Sequence, residues 1–280
     1  MKKFKPYFEK LQITPNKLSL ALVQEIQKKH LAIFSFNNIS VLLEKEIDLC
    51  IDALIDKIVV QNLGGYCFEH NKLLYEVLKA LGFDVKISIA RVTNSLSEKS
   101  PRTHRITLLF FENKTYLVDV GFGAMTPTFP IEIPNQTSDD VEITEQIHKM
   151  LFINKRSEHD YDLILKKENK NLTLYTFNLA DYYEADCVMG NFYSQHHPKA
   201  VFLNNFVVSK KLENVTLSFR NNIYHKNYSS NTDIIKIEDY KQLQQLLKDD
   251  FHLFPTKEES IILFEKGETF QKKNRKIIKV

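Results

Sequence analysis

The sequence predicts an α+β protein in which helices come first and strands follow. Three observations indicate this class. Apolar residues recur at spacings of three and four through the first 82 residues, the period changes to two at residue 83, and helical spacing returns near residue 238. No internal repeat and no low-complexity linker separates these parts. Helical and β segments that are segregated along a chain are typical of α+β proteins.

Three helices are predicted in the first part of the chain. The first follows Thr14 and Pro15, a capping residue and a proline at the first helical position. The second covers about 45–60. The third covers about 67–81, where Gly82 follows as a residue that commonly ends a helix.

Strand-like alternation begins at Val85, Ile87 and Ile89. Further strands are predicted at 104–111, 115–120, 160–166, 171–178, 199–208 and 214–219. The first two of these are joined by Glu112, Asn113 and Lys114, which indicates a hairpin. Helices are predicted again at 238–250 and 257–270.

Composition and charge exclude several classes of protein. Of the 280 residues, 43% are hydrophobic and 26% are charged, which excludes a disordered or collagen-like chain. The net charge is only +3 and basic residues alternate with acidic ones, so we expect no nucleic-acid partner. No apolar stretch reaches the roughly 18 residues of a membrane span, and three cysteines are too few for a disulfide framework. We therefore expect a cytoplasmic protein with reduced thiols and no membrane partner.

Glycine is scarce and clustered. The chain has only 7 glycines, and five of them fall within one short window, namely Gly64, Gly65, Gly82, Gly121 and Gly123. Such a chain is expected to use glycine where the backbone needs positive φ or approaches another group closely. The functional site is therefore expected in this window.

Cys67 stands at the first position of the third predicted helix, directly after Gly64 and Gly65. The thiolate is the reactive form of cysteine, and a helix N-terminus stabilises negative charge. For a cysteine alone, a small apolar residue packed at a helix start is the alternative. His70 would complete a Cys-x-x-His metal half-site, but no second pair has matching spacing, so no metal is predicted.

His104 begins one strand of the predicted hairpin, and Asp119 ends the other. If the strands pair, both residues lie near the open end of the hairpin, where the aspartate could orient the imidazole. Together with Cys67 they provide a nucleophile, a base and an orienting carboxylate.

Several motifs occur together and in order. They are Gly-Gly-Tyr-Cys-Phe-Glu-His-Asn at 64–71, Leu-Gly-Phe-Asp-Val at 81–85, Ala-Arg-Val at 90–92, Tyr-Leu-Val-Asp-Val-Gly-Phe-Gly at 116–123, Pro127 and Pro130, and Asn-Phe-Tyr-Ser-Gln-His-His-Pro at 191–198 with Phe202. This set resembles the arylamine N-acetyltransferase family over most of the chain.

The resemblance implies an N-terminal helical bundle over 1–82, a middle β-barrel over 83–190 and a C-terminal α/β lid over 191–280. The bundle and the barrel would form a papain-like core. Gly190 would mark the entry to the lid, and Gly267 is expected only in a turn.

The resemblance also implies the site residues. The family's catalytic residues fall on Cys67, His104 and Asp119. An acceptor pocket would be lined by Phe36, Phe122, Val92 and Phe202, and the acyl donor would pass along Gly121, Gly123 and Thr103.

The implied reaction is a ping-pong acetyl transfer. His104 takes the proton of Cys67, giving a thiolate–imidazolium pair, and the thiolate takes the acetyl group from acetyl-CoA as a thioester. An arylamine or hydrazine then accepts the acetyl group, because such weakly basic amines are unprotonated at neutral pH. Acetyl-CoA is thus the expected co-substrate, and no metal is expected.

Three positions depart from the family pattern, namely Leu63, Asn37 and Ser35. Leu63 stands where the family usually has arginine, and Asn37 stands where it has glutamate within Pro-Phe-Glu-Asn, which here reads Ser35-Phe36-Asn37-Asn38. Because both charges of an expected ion pair are absent, neither is left unpaired. We expect local repacking.

Three alternatives stay open. One is a related amide synthase or another acyltransferase with a different donor or acceptor. A second is a papain-like peptidase or transglutaminase-type enzyme, although the glycine contexts of Cys67 and Asp119 argue against it. The third is a degenerate member that retains the fold and binds ligands without turnover, against which the intact triad argues.

Overall fold

A computed structural model describes residues 1–93, 100–134, 144–146, 149–166 and 171–277. Its helices are α1 (Lys5–Leu11), α2 (Leu20–Ile33), α3 (Ile39–Leu42), α4 (Ile51–Leu54), α5 (Cys67–Leu81), α6 (Glu184–His196), α7 (Tyr240–Asp249) and α8 (Lys257–Ile277). Its strands are β1 (Phe36–Asn37), β2 (Asp84–Val92), β3 (Arg102–Phe111), β4 (Lys114–Val118), β5 (Ile131–Glu132), β6 (Thr144–Gln146), β7 (Lys149–Lys155), β8 (Asp160–Leu165), β9 (Leu172–Asn178), β10 (Val207–Lys211), β11 (Thr216–Arg220), β12 (Ile223–Asn227) and β13 (Thr232–Lys236). The predicted order of helices, strands and a mixed C-terminal part is confirmed.

Helices α1, α2 and α5 share one apolar core. Tyr7, Ile26 and Leu74 are fully buried in it, and the core continues onto the large sheet at Leu109 and Val118. Each fully buried aliphatic side chain contributes about 1.5–3 kcal/mol relative to an exposed one. This core therefore fixes α5 against the strands that follow it.

Helix α5 has the predicted bounds, and its ends are explained by local groups. The Glu69 carboxylate accepts a hydrogen bond from the Tyr66 N–H (3.0 Å), which caps the first turn. Lys57 Nζ lies 2.5 Å from the other oxygen of Glu69 and balances this buried charge. At the other end Gly82 has a φ of 99°, a left-handed conformation that glycine adopts easily.

Eight strands form one antiparallel sheet in the order β5-β4-β3-β2-β9-β8-β7-β6, and this sheet curls until it is nearly closed. The hairpin predicted between β3 and β4 is confirmed. Its turn residues Glu112 and Asn113 have φ values of 49° and 60°, the pattern of a type I′ turn. The opposite, open end of this hairpin carries His104 and Asp119.

A second sheet has the order β1-β10-β11-β12-β13. Strand β1 comes from the N-terminal part of the chain, and Phe36 pairs with Ser209 of β10. Helices α7 and α8 pack on this sheet through a core that includes Phe219, Leu243 and Leu263. The N-terminal region thus provides an edge strand of the C-terminal sheet.

Three expectations about helices and strands are wrong at particular positions. Helix α2 does not follow Pro15, but begins at Leu20 behind Ser19, whose Oγ accepts the Leu22 N–H (3.2 Å). The helix predicted over 45–60 begins only with α4 and continues as a π-helical segment, Ile55–Val60. The strand predicted at 199–208 is a 3₁₀ turn at Val201–Leu203, and β10 begins only at Val207.

Helix α6 was not predicted, and it contains Gly190. A Cβ added there would lie 2.6 Å from Phe68 Cζ, so the glycine allows α6 to approach α5 closely. The predicted domain boundary after residue 190 falls inside this helix, and the domain division stays a prediction. Gly267 was expected in a turn, but it lies within α8 and packs against Asn222.

In the part of the chain that the structure describes, no helix is both long enough and apolar enough to cross a membrane.

Candidate active site

His104 and Asp119 form a buried pair at the open end of the β3–β4 hairpin. His104 Nε2 lies 2.8 Å from Asp119 Oδ2, and the side chains are 2% and 0% exposed. A carboxylate only accepts hydrogen bonds, so Nε2 carries a proton and Nδ1 of the neutral ring is the nitrogen that can take another. A general base for a neighbouring thiol needs this tautomer.

Four donors hold the Asp119 carboxylate. Besides His104, it accepts hydrogen bonds from the Tyr175 hydroxyl (2.9 Å), Asn71 Nδ2 (2.9 Å) and the Gly121 N–H (2.8 Å). Burial alone raises the pKa of a carboxyl group, but the charge and hydrogen bond of His104, with those of Asn71 and Gly121, lower the pKa of Asp119 below its usual value. Asp119 is therefore ionised and fixed in orientation.

Cys67 lies at the first position of α5, and its side chain is buried. Its Sγ is 3.6 Å from the carbonyl oxygen of Thr103, the residue that precedes His104. A Cβ added to Gly121 would lie 2.8 Å from Cys67 Cα, so the segment after Asp119 packs directly on the start of α5. The fold thus brings the three predicted catalytic residues into one buried cluster.

The surroundings of the Cys67 thiol favour its neutral form. Burial and the charge of Asp119 raise the pKa of Cys67, while backbone hydrogen bonds from Arg105 and Phe68 act in the opposite direction. The thiol donates to the Thr103 carbonyl oxygen. A thiolate therefore depends on passing the proton to His104, and the expected resting thiolate–imidazolium pair stays a prediction.

The aromatic residues predicted to line the acceptor pocket lie around this cluster. The Phe122 ring centroid is 4.9 Å from that of His104, and the Phe36 and Phe202 rings are 6.1 Å apart. Gly123 directly follows Phe122, and a Cβ added to it would lie 3.5 Å from the Phe36 ring. Gly123 therefore lies between the Phe122–His104 pair and the Phe36–Phe202 pair.

Val92 and two residues that sequence reasoning did not single out lie on the barrel side of the site. Val92 stands at the end of β2, opposite Tyr175 in the strand register. Tyr175 donates to Asp119, and Asn71 links Asp119 to the Arg105 carbonyl oxygen (2.6 Å). Asn71 belongs to the 64–71 motif, which was an available signal. No sequence signal marks Tyr175, because the alternation of a strand predicts on which face of the sheet a side chain lies but not which residue it contacts there.

His70 belongs to a buried hydrogen-bond chain and not to a metal half-site. Its Nδ1 is 2.8 Å from His30 Nε2, and His30 Nδ1 is 2.9 Å from the Tyr7 hydroxyl. His70 Nε2 faces the Ser35 carbonyl oxygen (3.3 Å), which can only accept a hydrogen bond. Tyr7 therefore donates to His30, His30 donates to His70, and His70 donates to Ser35. Burial lowers the pKa of His70 to about 4, which keeps the ring neutral. Among the described residues, no group of three or more His, Cys, Asp and Glu side chains could hold a metal ion.

Asn37 and Leu63, where the charges of the family pattern are absent, are neighbours. Asn37 Nδ2 donates to the Leu63 carbonyl oxygen (3.0 Å), and Asn37 Oδ1 accepts the Ile39 N–H (3.1 Å). Asn37 is 3% exposed, whereas Leu63 is 42% exposed. A neutral amide bonded to the main chain therefore stands where the family pattern has a glutamate, and the loss of both charges leaves neither of them unpaired.

We expect Asn37→Glu to lower the free energy of unfolding by about 2–4 kcal/mol, because a buried carboxylate would face the Leu63 and Ser35 carbonyl oxygens, and the Ile39 N–H does not neutralise its charge. Adding Leu63→Arg should recover about half of this loss by pairing the charge. Leu63→Arg alone, at an exposed position, should change stability by only about 0.5 kcal/mol. Urea unfolding of the four proteins measures the coupling, and a double variant no more stable than Asn37→Glu would show that the positions are independent.

Comparison with known proteins shows which family this chain is similar to. A family model described as N-acetyltransferase matches residues 19–258. The arylamine N-acetyltransferase / N-hydroxyarylamine O-acetyltransferase of Salmonella typhimurium is 31% identical over 255 residues, which cover 88% of this chain and 87% of that protein. The arylamine N-acetyltransferase of Escherichia coli is 33% identical over 196 residues, which cover 70% of this chain and 68% of that protein.

Solved structures share the fold. The arylamine N-acetyltransferase from Salmonella typhimurium matches with a TM-score of 0.88 and 26% identity, covering 95% of this chain and 98% of that chain. The Mycobacterium marinum arylamine N-acetyltransferase in complex with CoA matches with a TM-score of 0.86 and 23% identity, covering 94% and 98%. The predicted helical bundle, β-barrel and α/β lid around a papain-like core are confirmed by these matches. With the family model spanning most of its length and a relative 31% identical, the chain belongs to the arylamine N-acetyltransferase family.

Proposed function

We propose that Cys67, His104 and Asp119 are the catalytic triad of an arylamine N-acetyltransferase. As a member of this family the chain is an acyltransferase with acetyl-CoA as its co-substrate. The observation that carries the triad proposal is the buried His104–Asp119 pair, 2.8 Å long, which leaves Nδ1 of His104 as the proton acceptor beside a helix-start cysteine.

In the first half-reaction, Cys67 Sγ attacks the carbonyl carbon of acetyl-CoA while its proton passes to His104 Nδ1. Asp119 stabilises the imidazolium that forms. The thioester bond to CoA then breaks, and the departing sulfur takes the proton from His104. The first N–H groups of a helix have no partner one turn earlier, and the N–H of Cys67, at the first position of α5, would help to hold the developing oxyanion.

In the second half-reaction, an arylamine or hydrazine nitrogen attacks the carbonyl carbon of the Cys67 thioester, and His104 receives the amine proton. The bond between this carbon and Cys67 Sγ then breaks, the acetylated amine leaves, and His104 gives the proton to the departing thiolate. The aromatic rings of Phe36, Phe122 and Phe202 support an aromatic acceptor, since they offer faces and edges for stacking. Val92 completes the proposed pocket, and Gly121, Gly123 and Thr103 form the proposed path of the acyl donor. Because all three cysteines are free thiols, we further propose a cytoplasmic location.

Acetylation of Cys67 tests this proposal directly. Wild-type protein incubated with acetyl-CoA should gain one acetyl group, and peptide mass spectrometry should place it on Cys67. Cys50, which is exposed, and Cys187, which is buried, are internal controls that should stay unmodified. Adding an arylamine should remove the adduct and yield the amide.

Each other outcome of this experiment is informative. An adduct on Cys67 that no arylamine or hydrazine removes would indicate an acyltransferase with a different acceptor. No adduct on wild-type Cys67, or the same adduct on a Cys67→Ser variant at another residue, would overturn the triad proposal.

A further inference from the structure

The segment 120–126, here called the site loop, forms one wall of the active site. Gly121 packs on the start of α5, and the Phe122 ring lies 4.9 Å from the His104 ring. Gly123 approaches Phe36 and the Ser209 hydroxyl of β10. The position of this loop therefore sets the space between the triad and the C-terminal sheet.

Both ends of the site loop are held by one side chain, that of Gln27 on α2. Gln27 Nε2 donates to the carbonyl oxygen of Asp119 (3.1 Å) and to that of Pro127 (2.8 Å), the residues on either side of the loop. Because both acceptors are carbonyls, the amide can be oriented in only one way. Gln27 is fully buried, so water does not compete for these donors.

The other atom of this amide is unsatisfied. Gln27 Oε1 is buried and accepts no hydrogen bond from any of the described residues. A buried unpaired acceptor costs about 1–3 kcal/mol, which an apolar side chain of similar volume would avoid. The cost is tolerable only if the two donated hydrogen bonds are needed.

The Asp119 carboxylate does not depend on Gln27, since His104, Tyr175, Asn71 and the Gly121 N–H already hold it. The two hydrogen bonds of Gln27 instead hold the main chain at Asp119 and Pro127, the residues on either side of the site loop. Inside the loop, Thr126 Oγ1 accepts the Phe122 N–H (2.7 Å), a second contact that holds the same wall.

We propose that Gln27 is a positioning residue that fixes the site loop where the acyl donor and the acceptor bind. It acts on substrate binding through Phe122 and Gly123, more than on the chemistry at Cys67. This inference rests on the acetyl transfer proposed above, because it concerns the same site.

The test separates binding from chemistry in Gln27→Met. This variant removes both donors and the unpaired acceptor while keeping the length of the side chain. We expect the KM values for acetyl-CoA and for the arylamine to rise by about tenfold or more. Acetylation of Cys67 by p-nitrophenyl acetate, a small ester that lacks the CoA moiety, should slow by less than about threefold. Ile26→Met, the same new side chain at the neighbouring core position, is the matched control and should keep wild-type KM values.

A second variant keeps the test independent of the stability of the first. Thr126→Val breaks the Phe122 contact from within the loop and should raise the same KM values. If a folded Gln27→Met keeps wild-type KM values while wild type turns over, the role of Gln27 is refuted; if Thr126→Val keeps them as well, the position of the site loop does not control substrate binding. A fall of all rates by one factor, in step with the melting temperature, would likewise show a purely structural role. Absence of turnover in wild type would instead count against the proposed function.

Discussion

Replacing Asp119 with asparagine is expected to slow the acetylation of Cys67 by about 10³–10⁴-fold. The carboxylate accepts two hydrogen bonds at each oxygen, from His104 and Tyr175 at Oδ2 and from Asn71 and the Gly121 N–H at Oδ1. An amide has one donating end, so one of these pairs of donors would face another donor. If that end faces His104, the ring reverses its tautomer and Nδ1 can no longer accept the thiol proton.

The measurement is single-turnover incorporation of acetyl groups from acetyl-CoA, followed by quenching and mass spectrometry. The buried mismatch should also lower the free energy of unfolding by about 1–3 kcal/mol. Asp181→Asn is the matched control, because Asp181 is exposed and pairs with Lys86 at the surface. An Asp119→Asn rate within about tenfold of wild type would contradict the assigned role.

Gly121→Ala adds only one methyl group, but it is expected to lower both the rate of Cys67 acetylation and the stability of the protein. The new Cβ would lie 2.8 Å from Cys67 Cα and 2.6 Å from Asn71 Nδ2, closer than side-chain carbons are found. Either the start of α5 or the segment after Asp119 must shift, and a displacement near 1 Å costs about 100-fold in rate. Overpacking should also cost about 1–3 kcal/mol of stability.

The control variant separates the effect of added strain in the backbone from the effect of a close contact with Cys67. Gly82→Ala, at the far end of α5, meets nothing closer than Leu18 at 3.8 Å but is strained by its φ of 99°. It should lose about 1–2 kcal/mol of stability and keep the wild-type rate of Cys67 acetylation. Chemical denaturation and single-turnover acetylation of both variants provide the comparison. If Gly121→Ala acetylates as fast as Gly82→Ala, the proposed packing of the loop on Cys67 is wrong.

Elements could be predicted correctly from the sequence where local signals, such as apolar spacing and the residues at the ends, agree with the tertiary structure. Helix α5 has an apolar period, a capping glutamate and a terminal glycine, and both its ends were predicted. The β3–β4 hairpin has alternating strands and a turn that tolerates positive φ. These two elements predict that Cys67 begins a helix and that His104 and Asp119 are neighbours, whereas the family resemblance is what implies that all three residues act together.

Prediction failed where the burial pattern is set by distant partners. Helix α6 buries small and polar residues such as Gly190 and Asn191 and exposes Met189 and Phe192, so its apolar pattern is inverted. The segment 199–208 looks like a strand, but Asn38 Nδ2 bonds two of its carbonyl oxygens in place of a strand partner. Gln27 and Tyr175 act through contacts with Asp119 across long sequence separations, which no local pattern records.

The pairing of β1 with β10 also affects how the protein matures during synthesis. Phe36 leaves the ribosome about 170 residues before its partner Ser209, an interval of roughly 10–35 s at ordinary rates of translation. The partner of Ser35 is synthesised later still, because the Ser35 hydroxyl donates to the carbonyl oxygen of Phe251 (2.7 Å). During this time one aromatic wall of the site has no sheet behind it, and exposed apolar surface of this kind favours aggregation of incomplete chains. The enzyme can become competent only when almost the whole chain has been made.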